Sequence, residues 1–379
     1  MIDKNTNVFL SLLRAGLFSV HGEGFKVNES LFRDVEWEKV YQLAQEQSVQ
    51  GIVLQGLEEL RDKNLELRVP QTLLLQWIGE VQVIEQRNKA MNLFIAELFE
   101  RLRKNGIYAL LVKGQGVAQS YEKPLWRTSG DVDLLLSDEN YKKAKELFVP
   151  LGEVTESEDV AKKHLALKIN GFEVELHGKM PFGISCRADD VVDEMLEDSL
   201  LKGRVSKWSV DEYDVFMPNP DNHIIIVFTH FLRHFFIEGV GLRQICDWCR
   251  LLYTYRDTLN YGLLEQRIKR AGLTSEWKAF GALAIKYLGF PKDSMPLLDV
   301  RSKKEDVRWR KKADRLMELV LECGNFGHNK DLSYRSRFSG LTYKIVAVWR
   351  RFLDFCRFAA IFPLDAPLFF VTYVMGKVK

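Results

Sequence analysis

From Gln71 to Lys104 the chain carries one long amphipathic run. Pro70 stands where a helix can begin, and Asn105-Gly106 ends it. Beyond Gly106 the apolar residues no longer repeat at helical spacing. Ile107 to Val112 is a short apolar run that reads as a buried strand, and Asp131 to Leu136 reads as another. His164–Ile169 and Phe172–His177 flank Asn170-Gly171, a strong signal for a two-residue hairpin. At Asn219 the helical spacing returns. This double change of period confines α/β character to one block, about 106–217.

The flanking regions read as helices. Phe9, Leu12, Leu13 and Leu17 recur at helical spacing, as do Trp37, Val40, Tyr41 and Ala44, and then Val53, Leu54, Leu57 and Leu60. Downstream, Asn219-Pro220-Asp221 is a helix start ahead of His223 to Phe236. Further helices are expected over 242–255, 263–271, 276–288 and 305–323. Within the central block, a turn at Lys113-Gly114-Gln115-Gly116, a short helix over 117–121 and a helix over 140–147 complete the pattern. The chain thus divides into three regions: an N-terminal helical bundle over 1–105, an α/β core over 106–217 and a C-terminal helical domain over 218–379.

A chain of 379 residues has the length for more than one core, and its 46% hydrophobic and 28% charged residues exclude disorder as the dominant state. Five cysteines without framework spacing exclude a disulfide scaffold. The N-terminal apolar residues are broken by Ser11 and Arg14, unlike a secretory signal. Pro363, Asp365 and Pro367 interrupt the longest apolar stretch. The expected location is the cytoplasm.

The chemistry concentrates between residues 110 and 177. Asp131 and Asp133 lie two apart on a strand, so both side chains point to one face, with Val132 and Leu134 on the other. Two adjacent carboxylates repel and lose hydration, which makes a divalent cation a natural partner. An Asp-x-Asp on a strand edge also occurs in proteins that bind no metal. Upstream, the Gly114 turn can bring backbone N–H groups to a phosphate. Arg127, between turn and strand, has the geometry of a bidentate phosphate ligand. A two-metal site needs a third carboxylate. Glu173, Glu175 and His177 share a strand face; Glu175 is the choice and Glu173 the runner-up.

The order of these features resembles the nucleotidyltransferase superfamily of DNA polymerase β type. It is most similar to the bacterial "uncharacterised nucleotidyltransferase" family, in Leu110 to Gly114, Tyr121 to Asp133, Val174 to Met180, Gly241 to Trp248 and Gly324 to His328. The likeness runs from about Trp37 to at least His328. Gln115 stands where the superfamily prefers Gly or Ser, and the spacing from the Gly turn to Asp131 is longer than usual.

The resemblance implies an α+β fold: a polymerase β-type core of mixed sheet and helices between N- and C-terminal helical regions. It implies that Asp131 and Asp133 bind two Mg²⁺ ions (Mn²⁺ being the alternative), with Glu175 as the third metal ligand and catalytic carboxylate. Lys113, Gly114, Gln115 and Arg127 would hold the nucleotide phosphates. An acceptor hydroxyl would attack the α-phosphate of an NTP and release pyrophosphate. The superfamily also contains inactive members, so a nucleotide-binding module without turnover is the rival reading.

A second constellation lies on two helices. His230 and His234 are four apart on one face, and Arg243 and Asp247 are four apart on the next helix. His230 and His234 read as a partly buried polar seam, as a two-His site with Asp247, or, with His177, as an acceptor wall of the cleft. The family likeness favours Arg243 and Asp247 in that wall or in an Arg–Asp pair holding it together. Cys246 and Cys249 read as core positions, not a redox motif. Gly324 to His328 reads as a structured turn. The aromatic, basic stretch from Tyr343 to Lys379 reads as a helix packed on the body; an interfacial membrane helix, or a scaffold acting through it, is the alternative. The expected acceptor is a small molecule, a sugar phosphate, a protein side chain or an RNA end, and the net charge of +2 disfavours a long nucleic acid.

Overall fold

The computed structural model describes residues 2–18, 28–63, 65, 67–298, 303–325 and 340–378. Five strands form a mixed sheet in the order β1-β2-β5-β4-β3. They are β1 (Ala109–Leu111), β2 (Asp131–Leu136), β3 (Glu153–Asp159), β4 (His164–Ile169) and β5 (Phe172–His177). β2 and β5 are parallel, whereas β1 on β2, and β4 on β3 and β5, are antiparallel. Asn170 and Gly171 both take positive φ, 50° and 84°, which gives the hairpin its tight two-residue turn. A separate hairpin pairs β6 (Val205–Val210) with β7 (Tyr213–Pro218).

Helices α1 (Lys4–Leu17), α2 (Trp37–Glu46) and α3 (Gln50–Asp62) precede α4 (Gln71–Lys104). At 34 residues α4 is about 51 Å long, and it joins two cores. Leu73, Trp77 and Val81 pack with the N-terminal helices, whereas Phe94, Ile95, Phe99 and Leu102 pack under the sheet against Val132, Leu134 and Val174. The alternation of β2 is therefore met on both sides: Val132 and Leu134 enter the core below, and Asp131 and Asp133 face the opposite way, with Leu135 on their side.

Within the central block, α5 is a single turn (Gln115–Ala118), starting two residues before the expected short helix, and α6 spans Asp138–Phe148. After β5 come α7 (Cys186–Leu201), α8 (Pro220–Ile237), α9 (Leu242–Tyr255), α10 (Tyr261–Ala271), α11 (Thr274–Leu283) and α12 (Lys303–Cys323). The helix expected to run to Leu288 loosens into a π turn over Ala284–Leu288. Two helices end the chain, α13 (Gly340–Ala359) and α14 (Asp365–Val378). The larger core is continuous from Val8 on α1 to Phe369 on α14. Arg14 ties α1 to the turn after α11 by donating to the carbonyls of Lys286 and Tyr287, at 2.7 and 2.8 Å.

Candidate functional site

The parallel pairing of β2 with β5 sets Asp131 opposite Glu173, Asp133 opposite Glu175 and Leu135 opposite His177. Among the described residues, Asp131, Asp133 and Glu175 each bring a carboxylate oxygen within 4.8 Å of the others. The cluster is partly balanced by cations. Lys113 Nζ lies 2.5 Å from Asp133 Oδ1. His177 Nε2 is 2.9 Å from the same oxygen and 3.1 Å from Glu175 Oε2. His164, directly across the hairpin from His177, reaches Glu175 Oε2 at 3.3 Å. His164, Glu175 and His177 form a second set of converging donors that shares Glu175 with the first.

The electrostatics follow from that crowding. The neighbouring Asp133 charge, with burial, raises the Asp131 carboxyl above its ordinary range. Burial also opposes the charge of Glu175, but hydrogen bonds from His164 and His177 and the charge of Lys113 outweigh it and hold that carboxyl far below the usual value. For Lys113, burial works against the charge and the surrounding carboxylates overcome it, so its ammonium is retained. His177 behaves likewise: burial pulls its pKa down, and its bonds to Asp133 and Glu175 raise it overall. Asp133 is fully buried and its Oδ2 has no hydrogen-bond partner. A buried carboxylate oxygen with no donor is costly to leave so. With three carboxylates around it, a hard divalent cation fits the donor set.

Gly114 sets how the strand and the turn meet. Its φ of 57° and ψ of −122° suit the first corner of a type II′ turn, closed by Gly116 N donating to Lys113 O at 3.1 Å. A Cβ at this position would stand 3.0 Å from the Asp131 carbonyl oxygen. Gln115 turns inward instead. Its Nε2 donates to Asn88 Oδ1 on α4 at 2.7 Å, and Asn88 in turn donates to the carbonyls of Leu125 and Arg127, both at 2.8 Å. The side chain standing where the superfamily prefers Gly or Ser is therefore part of the joint between turn and α4.

Arg127 lies on the inner side of that joint. Its Nε and Nη2 meet Asp247 Oδ1 and Oδ2 at 2.8 and 2.6 Å, its Nη1 donates to Ser129 Oγ, and Tyr121 OH also donates to Asp247. Arg127 and Asp247 are both nearly fully buried. Arg243 donates to the Thr128 carbonyl at 2.8 Å. Arg127, Arg243 and Asp247 border a small pocket of about 50 Å³ that also touches Gly114 and Asp131.

A larger cleft of about 400 Å³ opens between the carboxylate face and α8, lined by Lys113, Asp131, Glu175, His177, His230 and His234. His230 Nε2 lies 3.4 Å from Lys113 Nζ and 3.1 Å from His234 Nε2, and His234 Nδ1 lies 2.7 Å from Glu238 Oε2. Burial and then the Lys113 charge keep His230 neutral, far below its ordinary pKa. His223 is buried and bonded to the Val112 carbonyl, with its pKa pushed down to about 4. Asp247 is held by Arg127, and the metal-competent groups among the described residues do not include His230, His234 and Asp247.

Among the cleft residues that sequence reasoning missed are His164, Lys179 and Arg233. His164 was recoverable, because a two-residue turn at Asn170-Gly171 pairs residue 164 with residue 177 by counting. Asn325 Nδ2 donates to Ser48 Oγ and its Oδ1 accepts from Gln244, both at 2.8 Å. Phe326 to His328 lie outside the described residues.

No curated protein and no solved structure matches the chain. A family model described as "uncharacterised nucleotidyltransferase" matches residues 33–289, more than half of the chain and every element that builds the cleft. With its mixed sheet and its three carboxylates at the base of that cleft, the chain belongs to the uncharacterised nucleotidyltransferase family.

Proposed function

We propose that the protein transfers a nucleoside monophosphate from an NTP to the hydroxyl of an acceptor and releases pyrophosphate. The observation that carries this reading is the Asp131–Asp133–Glu175 cluster, with the unpartnered Asp133 Oδ2, at the base of a cleft. The three carboxylates would hold Mg²⁺, and Mn²⁺ suits the same donors. When bound, the cation supplies charge neutralisation on the phosphates and makes the acceptor hydroxyl more acidic.

The chain's own residues position the rest. Lys113 and the Gly114 turn would hold the β- and γ-phosphates, and Arg233 and Lys179 also line the larger cleft. Arg127 and Gln115 act from behind, holding the turn and β2 in register through Asp247 and Asn88. His177 orients Asp133 and Glu175, while His230 and His234 form the wall facing them, with Arg243 and Asp247 behind the smaller pocket. The acceptor hydroxyl forms a bond to the α-phosphorus as the bond to the bridging oxygen breaks. The hydroxyl proton leaves to solvent, with Glu175 held beside it as a carboxylate, and the pyrophosphate carries away the bonding pair. This is catalysis by positioning and charge stabilisation. A cleft of about 400 Å³ and a net charge of +2 support a compact acceptor, a small molecule, sugar phosphate or protein side chain, over a long nucleic acid.

The test uses NTPs labelled at the α-phosphate. Glu175→Gln should abolish transfer of label to acceptors in a metabolite and protein extract while keeping nucleotide affinity within a few-fold. Transfer at the wild-type rate by that variant would remove Glu175 from the chemistry. Label transfer by neither protein, with intact nucleotide binding, would favour a module that binds without turnover.

A further inference from the structure

Beside the three carboxylates, the β4–β5 hairpin presents a donor set of different chemistry. Its register sets His164 directly opposite His177, so both rings rise from the sheet face that carries Glu175. The ring centres are 4.9 Å apart. Both Nε2 atoms converge on one oxygen: His164 Nε2 lies 3.3 Å from Glu175 Oε2, and His177 Nε2 lies 3.1 Å from it. His177 Nε2 also lies 2.9 Å from Asp133 Oδ1. A single Nε2 hydrogen cannot be aimed along both lines at once.

These separations are close to those a tetrahedral ion imposes. Zinc bonds of about 2.0–2.1 Å to nitrogen and oxygen place neighbouring donors roughly 3.3–3.4 Å apart. Two of the three donor separations already stand at 3.3 and 3.1 Å, and all three ligand atoms lie within 4.8 Å of one another. Rotation of His164, the more exposed ring, can close the remaining side. All three residues line the cleft of about 400 Å³, which leaves a further coordination position for water. Asp133 Oδ1 keeps Lys113 as its partner when His177 turns its nitrogen to an ion.

We propose that His164, Glu175 and His177 form a binding site for Zn²⁺, different in selectivity from the Asp131–Asp133–Glu175 cluster. Two imidazoles and one carboxylate suit a borderline ion such as Zn²⁺, whereas Mg²⁺ takes oxygen ligands. Glu175 belongs to both sets, so zinc here draws the third carboxylate away from Asp131 and Asp133. The site does not depend on nucleotidyl transfer, because zinc binding is read without substrate.

The metal-stripped full chain would be titrated with Zn²⁺ against a chromophoric chelator in excess Mg²⁺. About one Zn²⁺ should bind per chain, and zinc-edge X-ray absorption should show scattering from imidazole. His164→Ala should weaken zinc binding by about tenfold or more, since loss of even a supporting residue costs a zinc site that much, and should reduce the imidazole signal. Its melting temperature in chelator should match the wild type, because the ring is partly exposed. A second variant, His164→Asn, should behave the same way. Asp131→Asn removes a member of the carboxylate cluster alone and should bind Zn²⁺ within a few-fold of wild type. Any of four results would overturn the proposal: no zinc binding by the wild type in Mg²⁺, a wild-type spectrum without imidazole, undiminished affinity in both His164 variants, or a loss in Asp131→Asn as large as theirs.

Discussion

Asp247→Asn isolates the joint behind the cleft. The wild-type carboxylate takes two bonds from Arg127, at 2.8 and 2.6 Å, and a third from Tyr121 at 2.8 Å. Asparagine keeps the shape but puts an N–H₂ group against a guanidinium and leaves a buried cation without its counter-charge. Removing one partner of a buried pair costs about 3–5 kcal/mol. The unfolding entropy of a 379-residue chain is roughly 0.8 kcal/mol/K. The variant should therefore melt about 4–6 °C below the wild type by calorimetry. Replacing both partners, Arg127→Met with Asp247→Leu, should lose less than the two single losses added together, by about 1–3 kcal/mol. The reasoning fails if Asp247→Asn melts within about 1 °C of wild type and gains nucleotide affinity. That would mean Arg127 serves the phosphates and not the joint.

Three further outcomes can be checked separately. Gly114→Ala forces a Cβ toward the Asp131 carbonyl at a φ of 57°; it should cost about 1–3 kcal/mol in denaturant unfolding and weaken any divalent-dependent nucleotide stabilisation. Glu276 on α11 is fully buried with neither oxygen hydrogen-bonded, and burial, with the Asp365 charge adding, raises its pKa well above 4.5. The stability it contributes is complete below about pH 4.5 and is lost as pH rises through the folded value, so Glu276→Gln should melt higher than wild type at pH 8 and equal it at pH 4; a lower melting point at pH 8 would contradict this. Burial also pushes the Cys246 and Cys249 thiols up. Alkylation of the folded protein should therefore reach exposed Cys186 and Cys356 and spare Cys246 and Cys249 until the chain unfolds.

Local pattern was enough wherever one element decides its own fate. The bounds of α4 and α9, the Asn219 cap of α8 and the Asn170-Gly171 hairpin can all be read directly from residues. The β6–β7 hairpin was not legible: its Asp211-Glu212 loop lacks a glycine, and only Asp211 takes positive φ, 50°. β3 was missed because Glu153 to Asp159 is a charged edge strand with irregular pairing, and it carries no apolar alternation. For the site, Asp131 and Asp133 could be placed on one face because strand geometry alone does so. The opposition of Asp133 to Glu175 depends on a parallel pairing across 42 positions, and the Arg127–Asp247 pair joins residues 120 apart. Neither leaves a mark in short-range spacing. The inward turn of Gln115 likewise needs Asn88 on α4, which only the packed chain provides.

Thermal stabilisation by each of the four NTPs, with and without Mg²⁺, on wild type and on Asp131→Asn/Asp133→Asn, addresses the nucleotide site itself. A ligand that binds only the folded chain raises the midpoint, by an amount that grows with its concentration relative to the dissociation constant. The predicted result is a Mg²⁺-dependent rise with at least one NTP that disappears in the double variant. A rise of equal size in the double variant, or none with any NTP, would contradict a nucleotide held through divalent cations on Asp131 and Asp133.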